Sequence, residues 1–130
     1  MLSERYTNKV NNGDVFVFGA NLAGRHGKGA AFTAIQEHGA VYGQGEGLQG
    51  NSYAIPTKGY KLEVLSLVEI EGYVQTFLNV ARSMPERVFN VTRIGCGLAG
   101  YLDEQIMPMF INVPENVVLP KAWGGKGFDR

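Results

Sequence analysis

Glycine placement constrains this chain more than any other feature. The 130 residues include 18 glycines, about twice the usual share of about 7%, and nine of them fall between Gly19 and Gly50. Glycine loses more backbone entropy on folding than any other residue. A chain this rich in it needs loops with left-handed dihedral angles, or backbone that lies against a ligand. The clusters also follow apolar runs. Asp14-Val15-Phe16-Val17-Phe18 ends at Gly19, and Val88-Phe89-Asn90-Val91-Thr92-Arg93-Ile94 ends at Gly95. Each run reads as a strand, and the first, with no clean alternation, reads as buried on both faces.

Between and beyond these runs the pattern alternates. A loop from Gly19 to Gly29 opens a helix over Ala30–Gln36, closed by a glycine signal near Gly39. A second glycine-rich loop covers 43–52. Tyr53-Ala54-Ile55-Pro56-Thr57 reads as a strand, with Pro56 at a strand end or sheet edge because proline cannot donate to the ladder. Leu67, Ile70, Val74, Phe77, Leu78 and Ala81 recur at helical spacing over about 66–83, with Ser66 as N-cap. A short helix is expected over about 102–110 and a last strand at 117–119. Residues 1–12 read as irregular. The tail from Lys121 reads as loose except where Trp123 and Phe128 pack. Strands alternating with helices imply one α/β domain over 1–130, a three-layer α/β/α sandwich with a mostly parallel sheet. Ligands of such sheets sit beyond the C-terminal strand ends, where the loops Gly19–Gly29 and Gly95–Gly100 lie.

Charge and composition narrow the partners. Lys plus Arg equals Asp plus Glu, 12 against 12, so no overall field attracts nucleic acid. No apolar run approaches the roughly 18 residues of a membrane span, and no apolar segment follows Met1–Arg5, so neither a membrane partner nor a secretory signal is expected. One cysteine, Cys96, suits a reducing cytoplasm. No Cys/His group has zinc spacing and no acidic group suggests a metal, so neither metal nor cofactor is expected. The oligomeric state is open.

An anionic ligand must then be held locally. A loop entering a helix presents unpaired N–H groups and a partial positive charge, the setting for a phosphate; two such loops suit a diphosphate. Gly95-Cys96-Gly97-Leu98-Ala99-Gly100 fits G-x-G-x-x-G in that setting, but too little chain follows for a full dinucleotide fold. Gly45-Glu46-Gly47-Leu48-Gln49-Gly50 fits the same pattern but leads into a strand. Gly27-Lys28-Gly29 lacks both the Ser/Thr and the earlier glycine of a Walker loop.

The stretches Val15-Phe16-Val17-Phe18-Gly19-Ala20-Asn21 and Gly27-Lys28-Gly29-Ala30-Ala31 resemble the start of a macro domain. Phe89-Asn90-Val91-Thr92-Arg93-Ile94-Gly95-Cys96-Gly97-Leu98-Ala99-Gly100-Tyr101 resembles that family's second phosphate loop. The likeness spans about 14–120 and is to a compact branch found in phages and bacteria. It implies a small-molecule partner, ADP-ribose or a related NAD-derived nucleotide. Asn21, after Gly19 and Ala20, would contact the distal ribose. Gly27, Lys28, Gly29 and Ala30 would lie along the diphosphate and that ribose. Gly97, Leu98, Ala99, Gly100 and Tyr101, following Gly95 and Cys96, would close over the phosphates. Phe18 stands where many hydrolytic members carry an asparagine, which favours binding. His26 in the loop favours catalysis, as a phosphatase or ADP-ribosyl hydrolase in which Asn21 or His26 activates water.

Each candidate also has a plainer role. Asn21 suits a loop cap. His26 reads as a general acid/base or as a solvated loop residue, and His38 as a helix C-terminal residue favoured by the dipole. Arg25 and Lys28 reach phosphates or solvent. Cys96, near a helix N-terminus, reads as a small buried hydrophobe, with a nucleophile paired to His26 as the alternative.

Overall fold

The central strand, β1 (Val15–Asn21), is buried on both faces, with Val15, Phe16, Val17 and Phe18 wholly inaccessible. A computed structural model of the chain describes residues 13–129; the irregular segment read over 1–12 lies outside them. Successive side chains of a strand point to opposite faces, and β1 divides accordingly. Val15 and Val17 join one core with Tyr53, Ile55, Ile70, Val74 and Phe77. Phe16 and Phe18 join another with Ala34, Ala54 and Phe128. A helix covers each face, giving three layers.

The elements are β1, α1 (Gly29–Glu37), β2 (Gly47–Gln49), β3 (Ser52–Lys58), α2 (Leu67–Ser83), β4 (Phe89–Val91), the one-turn α3 (Asp103–Ile106) running into a 3-10 turn at Met107–Phe110, β5 (Val117–Val118), and a 3-10 turn at Lys121–Trp123. The sheet order is β2-β3-β1-β4-β5, parallel except for β2 against β3. Val17 faces Tyr53 of β3 and Val91 of β4. The fold is α/β with a five-stranded, mostly parallel sheet.

Local chemistry explains the boundaries. Ser66 Oγ accepts from the Glu69 N–H at 3.2 Å, and the Glu69 carboxylate accepts from the Ser66 N–H at 3.0 Å. This capping box satisfies helix donors at both positions, starting α2 where its apolar stripe begins. The stripe residues Ile70, Val74, Phe77, Leu78 and Ala81 are all buried. At the end of α1, Gly39 turns through φ +75° and the Ala40 N–H returns to the Ala34 carbonyl.

One expectation about the strands changes. The stretch 43–52 is not all loop, because Gly47–Gln49 pairs antiparallel with β3 as a short edge strand. Pro56 lies within β3 but past its last β2 partner, Ala54, so its flank is a sheet edge although the strand continues. The tail packs where expected: Trp123 is buried, and Phe128 is inaccessible with its ring edge-on to Phe16, centroids 5.6 Å apart. His38 also differs. It is buried and stacked on Phe16 at 4.4 Å, and burial holds its pKa below the usual imidazole value, so it serves packing rather than the helix dipole. Among the described residues no helix is long and apolar enough to cross a membrane.

Because Phe128 fills the core between α1 and β1, Phe128→Ala should destabilise the domain by about 3–5 kcal/mol. Urea unfolding checks this, and a loss no larger than that of an exposed residue would return the tail to a loose segment.

Candidate functional site

The C-terminal ends of β1, β3 and β4 open into one cavity of about 600 Å³, within the usual range for small-molecule sites. Asn21 ends β1 and Thr57-Lys58 ends β3. Thr92 and Arg93 follow β4. Both glycine loops form its walls, with Gly19, Ala20, Asn21, Gly27, Lys28, Gly29 and Ala30 on one stretch of chain and Gly95, Cys96, Gly97, Leu98 and Ala99 on the other. Gly100, Tyr101 and His26 are not among the lining residues.

The first loop is built from its own amide chemistry. The Asn21 side chain closes a tight turn, its Oδ1 accepting from the Arg25 N–H at 2.9 Å and its Nδ2 donating to the Arg25 carbonyl at 3.1 Å. The loop around Gly43 and Gly45 lies directly on this turn. A Cβ on Gly45 would strike the Asn21 carbonyl, and one on Gly24 the Gly43 backbone. His26 is buried under the loop, with Nε2 2.8 Å from the Gln44 carbonyl oxygen and its ring edge-on to Phe18. It is neither solvated nor at the cavity. It ties the two loops together.

Beyond that turn, Lys28 precedes α1 in extended conformation and no side chain caps the helix. The N–H groups of Gly29, Ala30 and Ala31 find no partner among the described residues. Gly27 has no left-handed φ, and a Cβ there would meet no atom of the described residues within 4 Å. Nothing among the described residues demands glycine at this position.

The second loop leads to α3, which begins at Asp103, about where the sequence places it, but the loop's own N–H groups are not those of that helix's first turn. Its structure is a turn of its own, with Gly100 N–H donating to the Gly97 carbonyl and Tyr101 N–H to the Gly95 carbonyl. These bonds use the donors of Gly100 and Tyr101. The N–H groups of Gly97, Leu98 and Ala99 have no partner among the described residues. Tyr101 turns away, its hydroxyl donating to the Leu65 carbonyl at 2.6 Å. Gly97, like Gly27, has room for a Cβ and no left-handed φ, whereas Gly95 and Gly100 are at φ +77° and +83°.

Side chains supply a charge that the overall balance conceals. Arg25, Lys28, Lys58 and Arg93 line the cavity, and no carboxylate does among the described residues. Arg93 is fixed by Asp103, with Nε to Oδ1 at 2.9 Å and Nη2 to Oδ2 at 2.6 Å; the Trp123 Nε1 also donates to Oδ1 at 2.6 Å. The Arg93 and Trp123 hydrogen bonds hold the Asp103 pKa down to about 2. The Cys96 thiol packs against the core, and burial, followed by the Asp103 charge, pushes its pKa up to about 11. A thiol held this way is a weak nucleophile, and His26, the partner expected for it, is engaged with Gln44 outside the cavity lining. The helix-end setting expected to activate it is absent because the turn 97–102 separates it from α3.

Lys58, Thr57, Thr92 and Arg93 were not marked as site residues by the motifs. A signal existed for Lys58, directly after an apolar strand whose C-terminal end should face ligand. Arg93 was hidden because the strand reading ran through it.

No family model and no curated protein matches the chain. A solved structure described as a protein of unknown function from Bacteroides thetaiotaomicron is similar, with a TM-score of 0.53 at 18% identity over 82% of this chain and 83% of that one. The two share a fold.

The Asp103 brace gives a pH prediction. A carboxylate whose pKa is lower in the folded than in the unfolded state, about 2 against about 4, stabilises above the higher value and loses that effect as pH falls toward the lower. Asp103→Asn should therefore lower the melting temperature at pH 7, and the gap to wild type should close between about pH 4 and pH 2. A gap that stays constant over thermal melts in that range would show that the charge of Asp103 contributes nothing.

Proposed function

We propose that this chain binds ADP-ribose or a related NAD-derived nucleotide, with the diphosphate lying between the two glycine loops. One observation carries the reading. Four cationic residues, of which Arg93 is paired with Asp103, and residues of both loops with unpartnered N–H groups line a single cavity, in a chain whose acidic and basic residues balance. Backbone donors and Arg/Lys groups are what phosphate recognition uses. Gly27 and Gly97 add support. The fold leaves space for a side chain at both, so close approach of a ligand explains glycine there. This arrangement agrees with what the resemblance to macro domains implies, in a reducing cytoplasm where Cys96 stays a thiol.

The same lining supports binding rather than turnover. His26 is engaged beneath the loop, Asn21 is engaged with Arg25, and Cys96 is held protonated. Among the described lining residues no carboxylate or imidazole stands ready to activate water.

Calorimetry tests the proposal. ADP-ribose should bind and AMP much more weakly, since two loops are built for two phosphates. Gly97→Val should fold normally, because its Cβ enters open space, yet lose at least about 2 kcal/mol of ADP-ribose binding, roughly 30-fold. Gly97 is the better probe than Gly100, whose positive φ would strain any replacement. A folded Gly97→Val protein with wild-type affinity would sink the phosphate-loop assignment.

A further inference from the structure

The cavity has one wall that phosphate recognition does not explain. Residues 59–63 form a tight loop in which the Leu62 N–H donates to the Gly59 carbonyl at 3.0 Å and the Gly59 N–H donates to the Glu63 carbonyl at 2.8 Å. Lys58 and Val64 bridge antiparallel across its base. Short loops of this form place one residue in the left-handed region, a position suited to glycine or asparagine. Here that residue is Leu62, at φ +64°. Core burial does not account for a leucine in a strained conformation, because its side chain is 41% exposed. Leu62 lines the cavity.

A second leucine shares this setting. Leu98, at the tip of the second glycine loop, is 67% exposed and also lines the cavity. The Tyr101–Leu65 hydrogen bond ties the two loop segments together, and Leu65, Cys96 and Tyr101 all pack on the α2 side of the sheet. Leu62 and Leu98 therefore stand on the two segments that this hydrogen bond braces. Lys58 and Arg93 lie beside those segments, and Arg25, Lys28 and the open end of α1 lie on the first glycine loop, so the two leucines add exposed apolar surface to a lining whose cations and donors come from both loops.

We infer that Leu62 and Leu98 form an apolar subsite for an uncharged ring of the ligand, a base or a ribose face, beside the diphosphate held between the two glycine loops. The subsite rests on the nucleotide-binding reading above. Backbone strain retained at an exposed position fits a residue kept for its contact with ligand rather than for stability.

This predicts an unusual pair of effects. Leu62→Gly and Leu62→Asn both suit the left-handed position, so each variant should melt at or above the wild-type temperature. Each should bind inorganic pyrophosphate as wild type does and bind ADP-ribose about fivefold more weakly, the loss expected for part of a leucine contact. Leu98→Ser should also weaken ADP-ribose binding. Calorimetry with pyrophosphate, ADP and ADP-ribose reads this out. A loss already present with ADP assigns the subsite to the base, and a loss confined to ADP-ribose assigns it to the terminal ribose. An unchanged ratio of ADP-ribose to pyrophosphate affinity in the Leu62 variants overturns the subsite while leaving the diphosphate site standing. Wild-type protein that binds neither probe overturns the nucleotide reading and the subsite with it.

Discussion

A strand buried on both faces is the constraint from which the site follows. β1 has no solvent-facing side, so its chain can leave the sheet only at the ends, and parallel pairing with β3 and β4 puts all three C-terminal ends together. The connections at that end must cross from the sheet to helices on opposite faces. The one after β1 goes to α1 on the Phe16/Phe18 side; those after β3 and β4 go to the Val15/Val17 side. A cleft between diverging loops is the geometric result. Glycine lets those loops turn tightly and approach one another, as where Gly45 lies against the Asn21 carbonyl.

Charge is distributed by position rather than by amount. The chain balances its acids and bases, but the cleft holds cations without lining carboxylates among the described residues. The nearby acid, Asp103, is turned to orient Arg93 instead. Its two oxygens engage the guanidinium bidentately and accept from Trp123, which joins the second loop, α3 and the C-terminal turn. A guanidinium held this way gives up less rotamer freedom when a ligand arrives.

How much of this was legible in sequence depended on whether the signal was periodic or geometric. The α2 stripe and its Ser66 cap are local and repetitive, and the helix begins where they place it. The apolar run Val15–Phe18 announced a doubly buried strand because charged residues are missing from both of its faces. β2 was not legible, since three residues with a glycine carry no pattern and pair only because β3 offers an edge. The site divided in the same way. Glycine clusters after strands marked the walls, but which donors remain free depended on turns inside each loop. Tyr101 was read as a ligand contact beside Gly100, yet its hydroxyl reaches Leu65, 36 residues away in sequence. His26 sits in a polar, glycine-rich stretch, yet it packs against Phe18 and Tyr42 and bonds the Gln44 carbonyl. Long-range contacts of that kind leave no trace in local composition.

The central claim is that backbone N–H groups of two loops converge on one anionic ligand. Their amide signals report it directly. Nitrogen–proton correlation spectra recorded while ADP-ribose is added should show the largest shifts at Gly29, Ala30 and Ala31 and at Gly97, Leu98 and Ala99, moving together with a single affinity. Signals on the far edge of the sheet, at Val117 and Val118, should stay in place. Shifts confined to one loop, or centred away from both, would contradict the account.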